Sequence, residues 1–326
     1  MNAIELTPEH PIAEVTDFAV TAETVGFDTV FAACHYFNRD PFVALSRIAA
    51  ATDDVALGPA AANPYETHPV PLASRVATIQ EVSDGRAVMG IGPGDRSTLS
   101  ALGVDREKPL RRVLESFKVA QDLWDGEAVD ADGTFRADGA ELEYDVPGTV
   151  PVYVGAQGPH MIRMSAKHAD GVLYNGSHPR DFEWAADQVE QGLADRPAER
   201  GEFDFAAYAS VSVAEDGEAA REAARPPVAF IVGGAAPPVL DRHDIDHERA
   251  EAVGSAIEAG EFTEAFGLVT AEMLEAFSIA GTPDAVEEQM AAVLEYADSF
   301  VVGAPLGPDI EQAIELAGAA LDSARA

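Results

Sequence analysis

The sequence predicts an α/β protein, a closed parallel (β/α)8 TIM barrel with insertions. Three observations carry this. Short apolar strands alternate with longer amphipathic helices along the 326 residues, the strands number eight, and Gly and Pro gather at the strands' C-terminal ends. An open doubly wound sheet fits a run of eight such cycles less well.

The first cycle is the clearest. Residues 2–6 are short and apolar, Pro8 breaks the run, and Ile12, Val15, Ala19 and Ala22 then fall at helical spacing until Gly26 stops the helix. A β-branched and aromatic strand follows over 29–33. Similar punctuation recurs, with Asp53-Asp54 leading into Val55-Ala56-Leu57, Asp84-Gly85-Arg86 into Ala87-Val88-Met89, and Asp170-Gly171 into Val172-Leu173-Tyr174. Pro151-Val152-Tyr153-Val154, residues 203–213 and Phe300-Val301-Val302 complete the eight. Two stretches exceed a simple loop. Residues 125–148 are polar and Gly-rich and read as an excursion or short hairpin. Residues 218–297 read as a helical insertion broken at Pro226-Pro227 and Pro237-Pro238. No linker or composition shift marks a second domain, so residues 1–326 are expected to form one.

The net charge is −36, from 57 acidic and 21 basic side chains. Such a surface repels phosphates, which argues against nucleic-acid binding and against docking on an anionic membrane. At 47% hydrophobic residues the chain can build a sizeable core. Only Lys108, Lys118 and Lys167 are lysine; the other cations are arginine. At molar salt the Debye length shrinks to roughly 3 Å, and a self-repelling surface becomes tolerable. The composition therefore reads as adaptation to a salt-saturated cytoplasm, with an ordinary acidic cytosolic protein as the alternative. The one cysteine, Cys34, can form no internal disulfide or multi-thiolate metal site and reads as a small core residue. The first five residues have neither a basic region nor an apolar run, and no stretch approaches the ~18 apolar residues of a membrane span. A cytoplasmic, soluble protein is expected.

Reactive residues of a parallel barrel sit at the C-terminal ends of its strands. In order, those ends read Glu5; His35-Tyr36-Phe37-Asn38; Asn63-Pro64-Tyr65; Gly92-Pro93-Gly94-Asp95; Gly155-Ala156-Gln157-Gly158-Pro159; Asn175-Gly176-Ser177; and Gly303 to Pro308. Such loops let backbone approach a flat, polar ligand. Glu5 ends an apolar strand, where desolvation would raise its pKa and suit it to general-acid work; pairing with an arginine is the competing reading. Asp95 could face the polar edge of a heterocycle, but its spacing favours an N-cap for a helix starting at Ser97-Thr98-Leu99. Gly155 to Gly158 lead from a strand into a helix whose free N–H groups suit a phosphate-bearing cofactor, although a tight βα turn alone explains the glycines. His35 and Tyr36 could line the same mouth. The remaining histidines, His243 and His247 among them, show no metal-ligand grouping, and no metal is expected.

At these rim segments the chain resembles the 5,10-methylenetetrahydromethanopterin reductases, the coenzyme F420-dependent branch of the bacterial-luciferase-like barrels. The resemblance rests on Gly90-Ile91-Gly92-Pro93-Gly94-Asp95, Asn63-Pro64-Tyr65, Gly155 to Pro159, Pro237-Pro238-Val239-Leu240-Asp241-Arg242-His243 and Gly307-Pro308-Asp309, in unchanged order over nearly the whole chain. It implies a luciferase-like barrel with a deazaflavin, coenzyme F420, across the rim and hydride transfer to a pterin-bound one-carbon unit. It also implies roles. Glu5 matches the first-strand glutamate and takes acid duty, Asp95 lies beside the deazaflavin, and Gly155, Ala156, Gln157 and Gly158 receive the cofactor's phosphodiester. Asn63 lies in the third-strand loop, and Ala60-Ala61-Ala62 occupy the positions where relatives carry Gly, a β-branched residue and Thr around a cis peptide that buttresses the deazaflavin. His35 and Asn175 complete the cofactor-lining set. Relatives usually carry an aspartate at the position of Cys34.

The reaction implied opens a methylene bridge between two pterin nitrogens, with a proton to the departing nitrogen and hydride to the one-carbon unit. The pterin is of the methanopterin type or, in a halophile, methylenetetrahydrofolate. Two rivals stand beside this reading: an FMN-dependent luciferase-like monooxygenase, and a non-catalytic deazaflavin-binding protein. A homo-oligomer, dimer or tetramer, is the expected assembly.

Overall fold

The computed structural model describes every residue of the chain except Tyr36, together with the backbone but not the side chain of Ser97. Tyr36, placed beside His35 in the sequence reading, therefore lies outside the described residues. The chain divides into two compact units, one of Ala3–Tyr174 with Asp187–Ala206, the other of Met1–Asn2, Asn175–Ala186 and Ala207–Ala326.

The first unit begins with β1 (Asn2–Leu6), α1 (Ile12–Thr24), β2 (Thr29–Ala33), α2 (Pro41–Ala49), β3 (Ala56–Ala60), α3 (Pro69–Val82) and β4 (Met89–Ile91). It continues with α4 (Arg96–Ala101), α5 (Pro109–Trp124), the antiparallel pair β5 (Val129–Asp132) and β6 (Arg136–Ala140), then β7 (Val152–Ala156), α6 (Pro159–His168) and β8 (Gly171–Asn175). The polar excursion is thus a hairpin. α1 buries Val15, Thr16, Ala19 and Ala22, the stripe its spacing predicts, and closes where Gly26 takes φ +100° so that the Phe27 amide can reach back to the Ala22 carbonyl. α2 is capped by Asp40, whose Oδ1 accepts from the Phe42 and Val43 amides at 2.8 and 3.2 Å.

The remainder comprises α7 (Pro179–Leu193), a 3-10 turn at Ala198–Arg200, β9 (Asp204–Val213), α8 (Gly217–Gly234), α9 (Pro237–Arg242), α10 (His247–Glu258), α11 (Phe262–Leu268), α12 (Ala271–Phe277), β10 (Ile279–Gly281), α13 (Pro283–Leu294), β11 (Ser299–Leu306) and α14 (Ile310–Ala324). Here one expectation is corrected. Pro226 and Pro227 do not break the insertion but lie inside α8. Two prolines remove two helical N–H donors, yet the helix stays whole because Ala220 and Ala224 before them and Val228, Ala229 and Val232 after them share one buried face. That face joins Leu240, Val253, Met273 and Phe277 in a core of its own. Pro237, by contrast, opens α9 as expected. A three-residue strand, β10, pairs parallel with β9 and was absent from the sequence reading.

The strands follow the order β3-β2-β1-β11-β9-β8-β7-β4, with β10 beside β9. β3 and β4 then meet through the parallel bridges Leu57↔Ala87 and Ala62↔Ile91. This is the (β/α)8 barrel expected. β3 and β4 approach so closely that a Cβ on Gly58 would stand 1.9 Å from the Val88 carbonyl oxygen, and one on Gly90 2.1 Å from that of Pro59. At the N-terminal end of β3, Arg86 donates to the Ala49, Thr52, Val55 and Ser83 carbonyls at 2.6–2.9 Å. Glu23 Oε1 accepts from the Asp53, Asp54 and Val55 amides at 3.0, 2.7 and 3.1 Å. These ties locate stability at the end opposite the candidate site.

Candidate functional site

Register brings the C-terminal ends of β1, β2 and β3 level. Glu5 lies opposite Phe31, and Ala33 opposite Ala60. Glu5 is 4% exposed although it carries a carboxyl, and its Oε1 accepts from the Thr7 hydroxyl at 2.7 Å. The sequence reading anticipated this burial. Beyond β3 the Ala60–Ala61 peptide is cis, at the positions named for it above. Past it the chain runs on parallel to β4, the Ala62 amide donating to the Gly90 carbonyl at 3.0 Å and the Gly92 amide to that of Ala62 at 2.8 Å.

Here β3, β4 and β7 together form a floor almost without side chains. A Cβ on Gly92 would sit 3.3 Å from Ala61 Cβ, and one on Gly155 3.6 Å from the same atom. Three strand ends thus meet around one methyl group. Gly94, at φ +71°, packs where a Cβ would lie 3.0 Å from Leu99 Cδ1 and 3.3 Å from Asn63 Cγ. A flat ring can lie on such a surface, and the same close packing denies it to a bulkier floor.

The polar candidates divide. Asp95 caps α4, its Oδ1 accepting from the Thr98 amide and hydroxyl at 2.9 Å each, so the N-cap reading holds. Asn63 is buried and its Oδ1 accepts from the Tyr65 and Glu66 amides at 3.1 and 3.0 Å, which shapes the third-strand loop. Gly158 caps α6, where Pro159 is the first helical residue and the Met161 and Ile162 amides return to the Gly158 carbonyl. Gly155, Ala156 and Gln157 lead into that turn from β7. His35 is exposed and meets the edge of Phe37 at 5.2 Å between ring centres. Asn175 belongs to the other unit, exposed at the end of β8; the following Gly176 amide donates to the Tyr208 carbonyl and Ser177 Oγ accepts from the Ser210 amide.

Several residues near these loops escaped the sequence reading. Arg106 donates to the Gly94 carbonyl at 2.7 Å, while its buried Nε has no hydrogen-bond partner. Burial and the Arg96 charge draw its pKa down, against Tyr65 and Asp95. Arg112 stacks 4.7 Å over the Tyr65 ring. A cleft of about 190 Å³ opens between the β2–α2 and β3–α3 loops, lined among others by Cys34, His35, Ala62 and Asn63. Cys34 is accordingly a half-buried cleft residue rather than a core one, with burial, then Glu66, Asp40 and Glu5, pushing its thiol pKa far up. In the other unit His243 and Arg242 both donate to the buried Asp181, at 2.9 and 2.5 Å, and His247 pairs with Asp241. Among the described residues no group of three or more metal-ligating side chains converges, and no helix is long and apolar enough to cross a membrane.

The family model described as luciferase-like monooxygenase matches residues 2–299. The 5,10-methylenetetrahydromethanopterin reductase of Archaeoglobus fulgidus is 42% identical over 97% of this chain and 96% of its own. The enzyme of that name from Methanopyrus kandleri is 38% identical over 97% and 95%. A solved structure of the coenzyme F420-dependent tetrahydromethanopterin reductase from Methanopyrus kandleri superposes with a TM-score of 0.90 at 37% identity, covering 97% of this chain and 96% of that one.

Proposed function

The chain belongs to the luciferase-like family and, within it, to the 5,10-methylenetetrahydromethanopterin reductases, and on that footing we propose that it moves a hydride from reduced coenzyme F420 to a methylene-tetrahydropterin, giving the N5-methyl product. It is an F420-dependent oxidoreductase. The observation that carries the reading is the bare floor of Ala61, Gly92 and Gly155 on the same rim as the buried Glu5 carboxyl. A planar deazaflavin fits a surface on which the nearest side chain is a methyl group.

When bound, F420 supplies a hydride from a ring carbon. The rest of the work falls to the chain. Ala61, Gly92 and Gly155 support the ring face. The Gly155 to Gly158 turn offers uncharged backbone to a phosphodiester, which suits a chain so poor in lysine. Asp95, which caps α4 through Oδ1, is the residue that the family resemblance assigns to the deazaflavin's polar edge. Glu5, its orientation fixed by Thr7, holds the proton for the departing pterin nitrogen. His35 and Asn63 border the mouth.

The carrier is the finer question. The family name supports methanopterin; the salt-adapted composition favours a folate-type carrier, as expected in a halophile that makes no methane. Both share the reacting imidazolidine ring and differ in the arm beyond it. Assay of reduced F420 oxidation in molar KCl with each methylene carrier tests both levels. Turnover with a methylene carrier and none from NADH or NADPH is expected. Equal or better rates with a nicotinamide overturn the reading, and a kcat/KM preference for the methanopterin form defeats the folate carrier alone.

A further inference from the structure

Two guanidiniums, Arg39 and Arg75, line the cleft between the β2–α2 and β3–α3 loops. These two form no ion pair with a described residue; Arg39 gives Nη1 to the Glu9 carbonyl at 2.6 Å, and Arg75 gives Nη1 to Thr67 Oγ1 at 3.2 Å. The Arg75 guanidinium is held 5.5 Å over the Phe42 ring, which orients its fork without neutralising it. Two carboxylates line the same cleft and do not close on them. Asp40 is turned to the head of α2 by the Phe42 and Val43 amides. Glu66 is pushed up by burial, with Arg75 drawing it down and Asp40 raising it further. The cleft also adjoins the floor, because Ala62 follows the cis peptide directly and Cys34 follows β2.

We propose that this cleft is a subsite for a carboxylate-bearing arm of the reduced pterin, with Arg39 and Arg75 as the residues that grip the carboxylate. The inference rests on the pterin reading above. Guanidiniums meet a carboxylate through paired, charge-assisted hydrogen bonds. Such contacts persist at molar salt, where attraction at longer range is screened away. The floor holds what all such carriers share, and the cleft grips what lies beyond it.

The test is equilibrium binding in molar KCl to the wild type and to Arg39→Gln, Arg75→Gln, the double variant and Arg75→Lys. The probes are N5-methyl-tetrahydrofolate with one glutamate, the same pteroate lacking glutamate and capped as its methylamide so that it carries no carboxylate, and deazaflavin with and without its glutamyl tail. Each Gln substitution should weaken the glutamylated pterin about tenfold, as loss of a charged hydrogen-bonded contact does, and leave the pteroate within about twofold. Arg75→Lys should recover part of the loss. Equal effects on both pterins, or none, overturn the subsite. A loss confined to the tailed deazaflavin overturns it too and gives the cleft to the cofactor. Wild-type turnover on the pteroate separates the two levels. If it proceeds while the variants discriminate nothing, only the subsite fails; if neither these pterins nor the methanopterin carrier binds or reacts, the pterin reading fails and takes the subsite with it.

Discussion

Gly92→Ala places one methyl group on the proposed floor, and its cost can be worked from the packing. The new Cβ would lie 3.3 Å from Ala61 Cβ, 3.7 Å from the Gly155 carbonyl oxygen and 3.9 Å from Gly155 Cα. Only the first contact is tight, and a shift of a few tenths of an ångström relieves it. Overpacking of this kind costs about 1–3 kcal/mol, and the lower end applies because one methyl is the only close neighbour. Folding should therefore survive with a modest fall in Tm. Cofactor binding should not survive as well, because a ring lying on Ala61, Gly92 and Gly155 would have to rise off the floor and lose contact over much of its face. A loss of about 2 kcal/mol, roughly thirtyfold in Kd, is expected by fluorescence titration with F420. Gly90→Ala is the contrast. Its Cβ would stand 2.1 Å from the Pro59 carbonyl oxygen, backbone that cannot yield without opening the β3–β4 closure, so this variant should fail to fold. Wild-type F420 affinity in a folded Gly92→Ala protein would refute the floor as the ring's platform.

Glu5→Gln keeps size and hydrogen bonding but removes the proton. Turnover should fall ~10²–10⁴-fold with F420 affinity nearly unchanged, and near-normal kcat would make Glu5 structural. Asp95→Ala removes a cap and should cost about 1 kcal/mol by thermal unfolding, whereas Asp95→Asn keeps the cap and should change F420 affinity or spectrum alone; a purely thermal effect of Asn would return Asp95 to a structural role. Acid should loosen the closed end of the barrel. Burial pushes the Glu23 carboxyl up, but the Asp54, Val55 and Asp53 amides and the Arg86 charge outweigh it and hold the group below its ordinary range. A carboxyl held low when folded adds stability that is full above its unfolded value of about 4.3 and is lost as pH falls through the folded one. Unfolding free energy should therefore drop below about pH 4.3, and Glu23→Gln should flatten that slope; an unchanged slope would exclude Glu23 as its source.

Much of the barrel was legible because its strands are short β-branched runs set off by Asp and Gly, and α1 buries the stripe its spacing shows. β3 was read only as far as Leu57, since Gly58-Pro59-Ala60 have no strand propensity; the strand continues there because β4 closes against it. The whole α8 was hidden by Pro226 and Pro227, whose local rule is overridden by a buried face on both sides. At the site, the glycine loops and Glu5 stood out because position on a barrel strand gives them meaning. Arg39 and Arg106 did not, for an arginine in a loop has no period, and Arg75 did not, because a single arginine on the exposed side of α3 reads as a solvated residue. The join of Asp181 to His243, 62 residues apart, exists only in three dimensions.

Direct hydride transfer from the F420 ring carbon to the one-carbon unit can be followed with an isotope. Reduced F420 carrying deuterium in place of both hydrogens on the reacting ring carbon should deliver one deuterium into the N-methyl group, read by mass spectrometry of the pterin product in ordinary water. A carbon-bound label does not wash out, whereas a flavin's nitrogen-bound hydrogen exchanges with solvent before transfer. A methyl product one mass unit heavier at every turnover is the predicted result. An unlabelled methyl group, or oxygen uptake in place of a methyl product, would rule out direct transfer from the deazaflavin.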